Sequence, residues 1–369
     1  MKTFDRIIIG GGLFGLYSAS KSAEKGLHVL LLEKEKSFFK RASFVNQARV
    51  HCGMHYLRAI DTAKLCSHYY NRFVEEHREC INNSFKAIYA NSSFKSRVSD
   101  CDFKAVLESL DIAFQYIETP SFLNHSSVTI CAQVTEASFD YQFLLLHYLK
   151  KINKYRGLVE VHRGEEVMDI EVHDNVAIVN NKYQSGFVLN CTYASINNVI
   201  KRIIGSQIND LYDLRYELCE IVICNVDGSL INTGLTIMDG QFFSIMPFGK
   251  SGHHSLTTVG HTPLYSCEEL FPNFPCQGAF CHQFNLGLCN LCVNKPQSCF
   301  EKMMAIVSNY IKKSSITYSN SLYTVKPIMK SSEFSDSRPT VITKHMDSPL
   351  IYSVLSGKIS SVYELDSIL

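Results

Sequence analysis

One short stretch constrains this 369-residue chain more than any other: Gly10-Gly11-Gly12-Leu13-Phe14-Gly15, a G-x-G-x-x-G run. It falls between a β-branched segment, Asp5 to Gly10, and a helical pattern, Leu13 to Lys25, that stops at Gly26. A second strand is predicted from His28 to Leu32, with Glu33 at its end. In a strand, turn, helix, strand unit each glycine has its own reason. Gly10 permits the tight turn, Gly12 lets a pyrophosphate approach the backbone, and Gly15 allows the helix to pack closely on the strand. The amides of Leu13 and Phe14 then open a helix whose N-terminal dipole favours an anion. Glu33 stands where a carboxylate accepts hydrogen bonds from an adenosine ribose, and Lys34 beside it is a further cofactor-binding candidate. The unit predicts a dinucleotide site; NAD and FAD share the fingerprint.

The rest of the chain does not continue a regular alternation of strand and helix. Arg41 to Tyr56 reads as a loop, Thr62 to Cys80 as a helix, Val128 to Gln133 as a strand and Phe139 to Lys151 as an amphipathic helix. Four short β runs follow, Val159 to His162, Val167 to Val172, Val176 to Val179 and Phe187 to Cys191, as in a sheet extended by a meander. Ile221 to Val226, Gly234 to Met238, Phe242 to Pro247 and Ser255 to Val259 predict a second, antiparallel sheet. Phe271 to Ser298 is irregular, Cys299 to Lys312 is helical, Leu322 to Met329 and Leu350 to Leu355 are strands, and a helix opens at Ser356 and runs to the terminus.

Three segments carry a resemblance to a known family. In the first, Ser43, Asn46, His51, Gly53 and Tyr56 match a Ser, Asn or Ser, His-x-Gly-x-x-Tyr pattern. In the second, Asn190-Cys191-Thr192-Tyr193 resembles an Asn-Ala-Thr-Gly turn, with Tyr193 in place of the glycine. In the third, Ser337-Arg338-Pro339-Thr340 resembles an Arg-Pro element, and Ser356-Gly357-Lys358-Ile359 a glycine turn that opens a helix. Together they resemble the D-amino-acid-oxidase-like FAD-dependent oxidoreductases, nearest the 2-hydroxyglutarate oxidase and glycerol-3-phosphate dehydrogenase branches. The resemblance implies FAD as cofactor. It implies Ser43, Asn46, Cys191, Thr192, Gly357, Lys358 and Ile359 as cofactor-binding residues, with Val167 on the adenine side by position alone. It also assigns Arg338 to anchoring an anionic substrate through two parallel hydrogen bonds, His51 or His55 to accepting a proton, and Lys358 to offsetting charge on the reduced ring.

Charge and composition narrow the class further. Lys plus Arg is 36 against 35 for Asp plus Glu, so no global field favours nucleic acid. The apolar run Ile7 to Leu16 is broken by glycines and too short to span a membrane, which predicts a soluble, cytoplasmic protein without a transmembrane segment. Fourteen cysteines in so long a chain read as reduced thiols. Cys276, Cys281, Cys289 and Cys292 are the low-ranking metal candidates. Cys289-x-x-Cys292 supplies half of a zinc pattern, and Cys276 and Cys281 could complete a zinc or Fe-S site, but free buried thiols are the adopted reading and no metal is expected. Phe243, Met246, Pro247, Phe248, His253, His254 and His261 are assigned mostly to core.

The expected fold is α/β, a Rossmann-like FAD-binding domain interleaved with an antiparallel β-sheet substrate domain. Residues 1–85, 130–205 and 322–369 are assigned to the first, 86–129 and 206–321 to the second. The expected activity is hydride transfer to flavin N5 from a C–H bond next to an amine or hydroxyl of a small polar or anionic substrate: an amino acid, hydroxy acid or amino sugar. Two alternatives stand beside it, a non-redox flavin-dependent sugar-modifying enzyme and a catalytically inactive flavin-fold binding subunit.

Overall fold

The computed structural model describes residues 1–203, 205, 210–239, 242–278, 281–312, 315–332 and 337–369. Its centre is a six-stranded sheet in the order Val159–Arg163, Val29–Glu33, Arg6–Ile9, Phe187–Asn190, Leu350–Leu355, Val341–Asp347. The first five strands are parallel and the last is an antiparallel edge. Parallel strands covered on both faces read as continuous apolar runs, and here Ile7, Ile8, Leu30, Leu31, Val188 and Leu189 are all completely buried. Helix Leu13–Glu24 packs on one face with helix Tyr141–Lys154 beside it. The other face is covered by a small four-stranded sheet that includes Ile170–His173, Val176–Val179 and Tyr183–Ser185, the expected meander.

The second body is a nine-stranded sheet. Its long strand Leu214–Val226 pairs antiparallel with Ile316–Met329, His254–Thr258 and Pro263–Cys267. The sheet continues through Phe243–Pro247, Thr233–Met238, Lys86–Ser92, Val128–Val134 and Phe114–Ile117. One pair in it, Thr233–Met238 with Lys86–Ser92, is parallel, which the sequence pattern did not distinguish. Phe243, Met246, Pro247, Phe248 and His254 are buried in this sheet or beside it, as expected of core residues.

One expected element changes. Val128–Val134 and Ile316–Met329 hydrogen-bond within the large sheet. We therefore propose that the cofactor unit resumes after Val134 rather than at 130, and after Met329 rather than at 322. The C-terminal helix is a 3-10 helix that spans Ser360–Ser367, later than the expected opening at Ser356. Helix Asp100–Ser109 was not foreseen; Ser99 and Asp102 close a capping box at its start. No described helix is long and apolar enough to cross a membrane.

Candidate active site

The two bodies meet along a cavity of about 670 Å³ that runs from the Gly10 turn to the face of the large sheet. At one end the backbone leaves no room for side chains. Gly10 has φ +105°, and a Cβ there would stand 2.9 Å from the Cys191 carbonyl oxygen; a Cβ on Gly15 would overlap the Gly10 carbonyl oxygen. Ser43 Oγ accepts a hydrogen bond of 2.9 Å from the Leu13 amide, tying the loop to the helix start. The Glu33 carboxylate accepts from the amides of Gly11 at 2.6 Å and Glu35 at 2.8 Å. Burial raises its pKa and these two amides oppose the rise. A fixed carboxylate at one end of a side-chain-free turn suits a ribose and its attached pyrophosphate.

Every cofactor residue expected from the sequence, Gly10, Gly12, Leu13, Phe14, Gly15, Glu33, Lys34, Ser43, Asn46, Val167, Cys191, Thr192, Gly357, Lys358 and Ile359, has a place beside this turn or along the cavity, and all but Gly15 line it. Some of them also do structural work. Asn46 Nδ2 donates to the Ala42 carbonyl and its Oδ1 accepts from the Ala48 amide, so it shapes its own loop. Lys34 Nζ donates to the Leu286 carbonyl at 2.9 Å, and burial lowers its pKa to about 8. Tyr193 holds φ +54°, the left-handed conformation that a glycine would take at that turn. The turn is thus kept although its glycine is not. A Cβ on Gly357 would overlap the Arg338 carbonyl oxygen, so the two C-terminal segments press together at this one position.

At the other end, titratable side chains converge. The His51 and His55 rings lie 4.8 Å apart, and Tyr56 is 5.4 Å from the first and 5.2 Å from the second. Lys358 Nζ sits 4.2 Å above the Tyr56 ring, a cation–π contact. Burial, with Arg49 adding to it, lowers the Lys358 pKa to about 7. Burial also holds both histidines well below their usual range. Lys358, His55 and Arg49 reinforce this at His51; Arg49, Lys358, Arg338 and Lys326 do so at His55. Both rings are therefore neutral at pH 7.

Arg49 and Glu136 were not singled out from sequence. Both are completely buried, with Arg49 Nε 3.5 Å from Glu136 Oε2. Arg49 Nη1 donates to His55 Nδ1 at 3.0 Å and Nη2 to Thr236 Oγ1 at 2.8 Å. Tyr89 OH donates to Glu136 at 2.9 Å. A guanidinium cannot accept, so the neutral His55 ring must carry its proton on Nε2. That makes His55 a donor through Nε2. No side-chain hydrogen bond ties up the His51 ring among the described residues, and its Nδ1 is without a partner. The only local sign of this network was an arginine two residues before His51; Glu136 lies far along the chain.

Arg338 lines the cavity with its Nη1 donating to the Ser337 carbonyl at 2.7 Å. Across from it Glu217 is buried between Arg215, at 3.0 Å, and Lys326, at 3.4 Å. Glu217 and Lys326 are direct partners across two strands of the large sheet.

Residues 5–251 match the family described as FAD dependent oxidoreductase, DAO. The chain belongs to this family. Its fold is shared with flavoenzymes of that kind. The L-alpha-glycerophosphate oxidase of Mycoplasma pneumoniae with FAD bound superposes with a TM-score of 0.73 at 14% identity, covering 99% of this chain and 93% of that one. Glycine oxidase from Geobacillus kaustophilus gives 0.65 at 12% identity, over 98% and 91%. A curated relative, the FAD-dependent monooxygenase FPY4 of Fusarium mangiferae, is 28% identical over 262 residues, 70% of this chain. The match spans 64% of that relative's length. The four cysteine candidates are free thiols, and among the described residues no group of three or more potential ligands is placed to hold a single metal ion.

Proposed function

We propose that the oxidoreductase removes hydride from a C–H bond next to an amine or hydroxyl of a small anionic substrate: an amino acid, a hydroxy acid or an amino sugar bearing an acid group. The observation that carries this reading is the gathering of Arg338, Lys358, Arg49 and Lys326 around two neutral imidazoles at one end of the cavity. Glu136 offsets Arg49 and Glu217 offsets Lys326, which leaves Arg338 and Lys358 as the cations that would hold a carboxylate or phosphate.

Gly10, Gly12, Ser43, Glu33 and Gly357 would hold FAD, which would supply the two-electron acceptor. Arg338 orients the anionic group of the substrate. His51, neutral and with its lone pair uncommitted, takes the proton from the substrate hydroxyl or ammonium as the carbonyl or imine forms. His55 presents Nε2–H to an oxygen or nitrogen lone pair, its tautomer set by Arg49. Lys358 offsets negative charge that develops on the cofactor side.

The test is anaerobic mixing of the FAD-loaded protein with amino acids, hydroxy acids and amino sugars while the flavin absorbance is followed. Bleaching by an anionic donor, with neutral analogues much weaker, is the expected result. Bound flavin that no donor bleaches would refute the oxidation and favour the sugar-modifying alternative.

A further inference from the structure

Lys358 lines the flavin cavity without a counter-ion. Among the described residues no carboxylate pairs with its Nζ, and no hydrogen bond is made by it. A buried ammonium in that state is unfavourable unless some other group favours its charge. The group that it touches is Tyr56, with Nζ 4.2 Å from the ring centroid. Every other lysine-to-ring contact among the described residues is longer, from 4.8 to 5.9 Å.

Both backbones are fixed where the two side chains meet. Gly53 has φ +112°, and a Cβ there would stand 2.5 Å from the Ala63 carbonyl oxygen, so the loop turns against helix Ile60–Glu76 on a glycine. The Tyr56 amide donates to the Gly53 carbonyl at 3.0 Å and closes that turn, with the side chain buried. On the other side, the Lys358 amide donates to Ser361 Oγ at 3.2 Å, and this hydroxyl donates back to the Lys358 carbonyl at 2.7 Å. The Gly357 amide donates to Thr340 Oγ1 at 3.0 Å.

The surrounding charges do not favour the ammonium. Arg49, His51 and His55 face it from the loop that carries Tyr56, and Arg338 and Lys326 act on the same His55 ring. Each of these is a cation or a neutral imidazole. The nearby carboxylates are engaged elsewhere, Glu136 with Arg49 and Glu217 with Arg215 and Lys326. Burial first, and repulsion from Arg49 second, push Lys358 toward its neutral form. The negative face of the Tyr56 ring opposes both, and such a contact is strongest where water is excluded.

We propose that Tyr56 is a positioning residue for Lys358: its ring face keeps the ammonium cationic at the cavity wall, where the anionic group of a bound ligand supplies the missing counter-charge. The inference rests on the reading above that Lys358 and Arg338 hold a carboxylate or phosphate. The ring does the holding and the phenol hydroxyl has no part in it. Phenylalanine at position 56 therefore serves equally, and an aliphatic side chain does not.

The test uses the FAD-loaded protein and two probes, acetate and sulfate, which stay fully ionised while Lys358 titrates. Binding is followed by the change in flavin absorbance at a series of pH values on both sides of 7. In the wild type the affinity should fall as Lys358 loses its proton. Tyr56→Phe should keep that fall at the same pH. Tyr56→Leu should move it down by about 0.5–1.5 pH units and weaken binding about 2- to 15-fold at pH 7. Flavin absorbance after gel filtration shows that each variant still holds FAD, and Tyr56→Met replaces Tyr56→Leu where the latter does not. Loss of FAD from both aliphatic variants marks Tyr56 as structural and overturns the proposal. An unchanged pH dependence in the aliphatic variant, or lost binding in Tyr56→Phe, also overturns it and leaves the anion-holding reading intact. A wild type that binds neither probe removes both. Binding that follows the ring in a protein whose flavin no donor bleaches leaves this inference standing and removes the proposed oxidation.

Discussion

The buried pair Arg49 and Glu136 offers the sharpest test of the electrostatics of the site. Glu136→Gln removes one charge and keeps the volume. Both side chains are buried, so the guanidinium would be left without its counter-charge. Breaking a buried pair in this way costs about 3–5 kcal/mol. At about 2–4 °C per kcal/mol for a large domain, the melting temperature should drop by roughly 6–20 °C. The carboxyl is raised by burial and pulled back by Arg49 and by the Tyr89 and Cys52 donors. Its charge state is therefore what the variant reads. Urea unfolding and thermal melts of the FAD-free chain give the cost, and Arg49→Met with Glu136→Leu in one chain gives the control. An apolar pair should recover most of the stability, yet activity should stay low because His55 Nδ1 has lost its donor. A cost below about 1 kcal/mol for Glu136→Gln would refute the ion pair and mean a neutral acid hydrogen-bonded in the core.

Further outcomes follow from the geometry. His51→Asn should lower kcat by roughly 10²–10⁴-fold with little change in FAD content, as expected for loss of a positioned base. Because the His51 pKa is lowered, the acid limb of kcat/KM should lie below pH 6.5, with activity falling as pH drops through it. Lys358 must be protonated to hold an anion and has a pKa of about 7, so affinity for a carboxylate inhibitor should fall between pH 6 and 8, and Lys358→Met should flatten that fall. The same lysine is protonated in the unfolded chain up to its ordinary value of 10.5. The unfolded state therefore binds more protons between about pH 7 and 10, and this group's contribution to stability of the FAD-free protein should rise with pH across that window. Gly357→Ala should abolish FAD retention, measured by flavin absorbance after gel filtration, because the new methyl meets the Arg338 carbonyl oxygen rather than a movable side chain.

What was legible in the sequence was local. The Gly10 to Gly15 run, its flanking strands and Glu33 follow from backbone sterics and helix-end hydrogen bonding over about two dozen residues, and the structure places them as a dinucleotide unit requires. Short motifs likewise singled out Asn190, Arg338 and Gly357, and Tyr193, where the family pattern has a glycine, holds φ +54°. The charged constellation was not legible. Arg49 and Glu136 are 87 positions apart, and Glu217 and Lys326 are 109 apart. A strand of one sheet carries no sign in its own periodicity of which distant strand it pairs with. The tautomer of His55 depends on a guanidinium that only the packing of the large sheet against the cofactor loop brings within 3.0 Å. The same is true of the four cysteines. Their spacing suggested a metal half-site, but the cavity that they line exists only once Tyr323 and Val325, from a strand late in the chain, are folded against the loop. The sequence by itself determined which cofactor fold forms, through local backbone geometry; tertiary structure decided which charges meet there, since desolvation and hydrogen bonding act only between groups that folding brings together.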